Sequence, residues 1–75
     1  MDEAALERVT AQLRALCADM DSGAEDLLGE HAAMLQSAYP KHAQAISDAI
    51  KGFDFDLAIE QLDAAMQARA GSAAA

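Results

Sequence analysis

Phe53-Asp54-Phe55-Asp56-Leu57-Ala58-Ile59-Glu60-Gln61-Leu62 is the stretch that decides the fold. Asp54 stands where a helix would begin, and its short carboxylate can accept from the unpaired N–H groups of a first turn. Gly52 just before it suits the left-handed position that ends the preceding helix. After the cap, Phe55, Ala58, Ile59, Leu62 and Met66 step by three and four, with Ala65 beside them, which is one face of an amphipathic helix. The chain has no Trp and one Tyr, so Phe53 and Phe55 are its largest candidate core side chains. Both rings are expected to point inward, one from each side of a turn.

Working outward, the helix that ends at Gly52 should occupy about 41–51, with Ala43, Ile46 and Ile50 in register with Phe53. Tyr39-Pro40 breaks the chain before it, because the residue preceding a proline is pushed away from helical angles. A longer helix is predicted over 23–38, with Ala24, Leu28, His31, Leu35 and Ala38 on one face and Leu27 and Met34 alongside. Ser22 and Glu25 have the spacing of a capping box at its start. Gly29 inside it either permits a close helix approach or weakens the helix by about 1 kcal/mol relative to Ala. A first helix over 3–20 follows from Leu6, Val9, Leu13, Leu16 and Met20, with Asp2 as its cap.

Four amphipathic helices on short connections give an all-α fold: a small antiparallel four-helix bundle or two stacked helical hairpins. One helical domain is expected over residues 1–70, and the Gly-Ser-Ala-Ala-Ala stretch at 71–75 reads as a disordered tail. A weak internal echo favours hairpins. Leu13, Met20 and Asp21 match Ile46, Phe53 and Asp54 at an offset of 33, and Ala24 and Leu28 match Ala58 and Leu62 at 34.

Composition narrows the partner. Thirteen acids against five bases give a net charge of −8, which opposes nucleic acid and anionic membranes, since both reward Lys and Arg. The apolar fraction is 53%, much of it alanine, so a single core is small for a chain of 75 residues. Cys17 has no second cysteine to pair with, the first residues show no n-region and h-region pattern, and no run of 18 apolar residues occurs. A soluble cytoplasmic protein, or a piece of one, is the expected class.

No residue set spells out catalysis, a cofactor or a metal. His31 lies on the apolar side of its helix, where a half-buried seam histidine competes with a phosphoacceptor. The run Ala32-Ala33-Met34-Leu35 after it holds no cation to offset a phosphoryl group. His42 beside Lys41 reads as a solvated residue. Asp54, Asp56, Glu60 and Asp63 read as a solvated helix face rather than a cation site. Cys17 reads as a buried or boundary small apolar residue rather than a nucleophile. Asp21-Ser22 has the outline of an acyl carrier protein's phosphopantetheine site. Gly23 replaces the usual Leu or Ile, however, and the long loop such proteins have between their first two helices is missing.

The run Ala49-Ile50-Lys51-Gly52-Phe53-Asp54-Phe55-Asp56-Leu57-Ala58-Ile59-Glu60-Gln61-Leu62, with Asp21-Ser22-Gly23-Ala24 upstream, resembles a motif of bacterial two-component signalling proteins. It is similar to the small helical segments near the C-terminus of hybrid sensor kinases, over roughly residues 10–68. Such segments resemble histidine-phosphotransfer domains in being helical bundles that work beside receiver domains. Those domains carry a His-x-Leu-Lys-Gly-like run, and no lysine follows His31 here. The resemblance therefore implies a non-catalytic interaction module in a phosphorelay, one that docks a receiver or kinase domain or associates with itself as a homodimer. The alternatives are a phosphoryl carrier through His31, an acyl-carrier-like protein through Ser22, and a simple homodimerisation domain. The residues expected to form the core and the interaction faces are Leu13, Leu16, Leu28, Ile46, Ile50, Phe53, Phe55, Ile59 and Leu62.

Overall fold

The computed structural model describes residues 2–74 in backbone and residues 2–70 in side chain. Five helices and no strand occur among the described residues: α1 (Glu3–Ala18), α2 (Gly23–Glu30), α3 (Ala32–Ala38), α4 (Ala43–Lys51) and α5 (Phe55–Ala74). The expected disordered tail at 71–75 falls on residues whose side chains, and for Ala75 the backbone, lie outside those described. The radius of gyration of 11.3 Å equals the value of about 11 Å expected for a compact chain of this length.

Asp2 starts α1 as its sequence position suggests, its Oδ1 accepting from the N–H groups of Ala4 and Ala5 at 3.0 and 3.3 Å. The buried stripe of α1 is Leu6, Val9, Thr10, Leu13 and Cys17, so it follows 3.6-residue spacing from Leu13 to Cys17. The expected path through Leu16 to Met20 drifts off that face. Leu16 is half-buried, and Met20 is 76% exposed. Thr10 is fully buried because its hydroxyl is 3.0 Å from the hydroxyl of buried Tyr39, so each polar group satisfies the other.

The helix expected over 23–38 is bent into two. His31 leaves helical angles at φ −117°, ψ 22°, yet its N–H still donates to the Leu27 carbonyl, and its own carbonyl accepts from Leu35 N–H. Ladder bonds thus span the bend on both sides. Gly29 lies inside α2, two residues before the bend. A Cβ built there would meet nothing within 4 Å, so it serves no close approach and only weakens the helix.

The cap of α2 also differs from expectation. Ser22 is itself helical (φ −61°, ψ −16°) and makes no side-chain cap bond, so the capping box with Glu25 does not form. Asp21 does the capping one residue earlier: its Oδ1 accepts from Gly23 N–H at 2.8 Å and its carbonyl from Ala24 N–H.

One core joins the helices. α5 packs against α1 and α4, α2 packs against the same two, and α3 lies against α1, α2 and α4. Leu13, Ile46, Ala58 and Leu62 are wholly removed from solvent at its centre, with Ala24 from α2. Small side chains at Ala43, Ala49, Ala58 and Ala65 let α4 and α5 approach closely, which is how an alanine-rich chain closes a core without large residues.

Candidate functional site

The ends of α1 and α4 are built by one hydrogen-bond pattern. At the first, Met20 N–H donates to Cys17 C=O at 3.0 Å and Asp21 N–H to Leu16 C=O at 2.9 Å. At the second, Phe53 N–H donates to Ile50 C=O at 3.1 Å and Asp54 N–H to Ala49 C=O at 2.8 Å. Each is a Schellman motif, whose fifth-to-second and sixth-to-first bonds require a left-handed residue just past the helix. Met20 (φ 53°) and Phe53 (φ 58°) are those residues. The aspartate after each then caps the next helix, Asp54 accepting from Leu57 N–H at 3.3 Å as Asp21 does from Gly23.

This corrects the reading of Gly52 and Phe53. Gly52 sits at φ −87°, an angle any residue adopts, and the left-handed position falls on the ring-bearing residue after it. Phe53 is consequently turned outward and is 62% exposed; it is not a core residue. Its ring rests edge-on against that of Phe55, with centroids 6.1 Å apart and an interplanar angle of 70°. Phe55 is the ring that enters the core.

Both turns lie at one end of the molecule. Arg14 on α1 makes a two-pronged ion pair with Asp63 on α5, with 2.9 and 3.2 Å contacts, and Glu3 pairs with Arg69. α1 therefore runs antiparallel to α5, as α4 must across its short turn. From the Arg14–Asp63 pair, Met20 is six residues onward and Phe55 eight residues back, or about 9 and 12 Å of rise. Met20, just past the end of α1, and the Phe53–Leu57 segment at the start of α5 thus lie towards the same end of the molecule, since α1 and α4 both pack against α5. Met20, Phe53 and Leu57 are the large apolar side chains most exposed among the described residues.

Compared with protein-family models, curated proteins and solved structures, the chain gives no match. Its chemistry is read from its own residues.

Of the expected core and interaction residues, Leu13, Leu28, Ile46, Ile50, Phe55 and Leu62 are buried in the one core, Leu16 and Ile59 pack half-buried against it, and Phe53 stands outside. His31 is half-buried at the α2–α3 bend. Ser22 is exposed in the turn between Asp21 and Gly23. Cys17 is a buried free thiol, and burial pushes its pKa above the ordinary range, away from nucleophilic use. Asp54 serves as a cap and Asp63 as the Arg14 partner. No group of three or more potential metal ligands occurs among the described residues.

At the opposite end, an open cleft of about 620 Å³ lies between the α3–α4 link and α5, with Lys41, His42 and the Glu3–Arg69 pair on its rim. Among the described hydrogen bonds, none joins its other titratable side chains to one another. No helix among the described residues is long and apolar enough to cross a membrane. Sequence reasoning missed Met20, whose signal was available: it precedes an aspartate at a helix end in the same way that Phe53 does.

Proposed function

We propose that the chain is a non-catalytic protein-interaction module that docks through the end carrying Met20, Phe53 and Leu57. One observation carries this reading: both left-handed turn positions hold large apolar side chains, and both side chains face solvent. A left-handed residue with a Cβ costs about 1–2 kcal/mol, and glycine would remove that cost. Exposing a large apolar side chain forgoes about 1.5–3 kcal/mol of burial. Accepting both costs at two matched positions is expected of residues whose burial comes from a partner.

We read the architecture as two stacked helical hairpins, α1–α2 and α4–α5, linked through α3. The repeated turn 33 residues apart supports this, since it matches helix end, left-handed residue and capping aspartate one for one. The resemblance over Ala49–Leu62 makes a receiver or kinase domain of a bacterial two-component system the partner to try first, in the cytoplasm, with the module acting as a protein contact in the phosphorelay.

Titrating the isotope-labelled chain with a receiver domain and with a kinase dimerisation domain tests the reading. Amide shifts centred on Met20, Phe53 and Leu57 are expected, with their loss in a Met20→Ser/Phe53→Ser variant that keeps the native spectrum elsewhere. Binding that leaves this end unperturbed would refute the docking surface. Silence with both domains would refute the two-component partner.

A further inference from the structure

Building on the reading of this end as a docking surface, we infer that its occupant is a basic amphipathic segment of another protein and not a second copy of this chain. Asp19 and Asp21 flank Met20 along the chain, Asp54 and Asp56 neighbour Phe53 and Leu57, and Lys51, the last residue of α4, is the base in these two stretches. All four aspartates are exposed. Exposed apolar anchors with exposed aspartates beside them are complementary to an apolar stripe flanked by Lys and Arg, the arrangement of a basic amphipathic helix.

Self-docking through this end meets the opposite condition. It would set four aspartates against four, between chains that each carry −8. Nucleic acid and anionic membrane are excluded by the same sign of charge. Two of the aspartates, Asp21 and Asp54, are held by cap bonds that orient the turns. Asp19 and Asp56 make no described side-chain hydrogen bond, so their charge can be removed without undoing a cap.

The test uses the full chain, isotope-labelled, and two synthetic helical peptides. Both carry the same Leu/Phe stripe; one has Lys and Arg on its flanks and the other Glu. The basic peptide is expected to shift Met20, Phe53 and Leu57, with affinity falling about tenfold from low to physiological salt. In Asp19→Asn/Asp56→Asn its affinity should fall by a similar factor with the fold unchanged, and Phe53→Ser should abolish the shifts. Equal binding of the acidic peptide would overturn the charge assignment while leaving the apolar docking surface standing. If neither peptide perturbed this end, the docking surface itself would fall, and the inference with it. A concentration-dependent dimer whose shifts map to this end would establish a second copy as the occupant and overturn the proposal.

Discussion

Phe53 and Phe55 are two residues apart and have opposite fates, which makes them the sharpest test at the residue scale. Phe55→Ala empties a buried site and should cost about 3–5 kcal/mol, enough to unfold a domain of this size. Phe53→Gly relieves a left-handed backbone and loses only an edge contact between rings, so its urea midpoint should correspond to within about 1 kcal/mol of wild type. A loss of several kcal/mol at Phe53 would return it to the core. Thr10 and Tyr39 make a second pair. Tyr39→Phe strands the buried Thr10 hydroxyl and should cost about 1–3 kcal/mol, and the double variant Thr10→Val/Tyr39→Phe should recover part of it. Titration adds a sign. The hydrogen bond from Arg14 holds Asp63 below the usual carboxylate range, so the pair's contribution is present above the unfolded carboxylate pKa and fades as pH falls through the lowered one. In Asp63→Asn that part of the acid-side loss in a pH series of urea melts should be missing.

At the scale of elements, helix existence was legible, and helix ends only in part. Periodic apolar spacing located α1, α4 and α5, and Asp2 and Asp54 are cappers because a short carboxylate just before a first helical turn reaches its unpaired N–H groups. The left-handed residue was misplaced because glycine's freedom is a permission rather than a demand. The chain set Gly52 at an ordinary φ and left the next position to Phe53. Ser22 failed as a cap because Asp21, one residue earlier, offers a stronger acceptor already fixed by the preceding Schellman bond. The bend at His31 was hidden because the apolar spacing runs through it unbroken from Leu28 to Leu35. Gly29→Ala tests whether the glycine contributes to the bend. With open space around the added Cβ, the substitution should stabilise by about 0.5–1 kcal/mol in urea, and a destabilisation would show that the bend needs glycine.

For the whole molecule, the candidate site was half-visible in sequence: Phe53 drew attention as core, while the pairing of its turn with Met20's showed only as an offset of 33. Periodicity cannot say which side of a turn faces water, since that depends on which residue takes the left-handed angle. Charge, by contrast, is readable at once and has a global consequence. A chain with 13 acids and 5 bases repels itself, and its compact state concentrates that repulsion. Sodium chloride should therefore raise the urea midpoint, with most of the gain complete by about 0.15 M, where the screening length has fallen to about 8 Å. The two exposed ion pairs, Arg14–Asp63 and Glu3–Arg69, weaken over the same range, but exposed pairs contribute only about 0–1 kcal/mol each. A midpoint that falls with salt would mean those pairs outweigh the excess of acids. The aspartates beside Met20 and Phe53 would then be a lesser source of repulsion than their charge suggests. A rise that shrinks in Asp19→Asn/Asp56→Asn would locate part of the repulsion at the proposed docking end, where the inferred basic partner would relieve it.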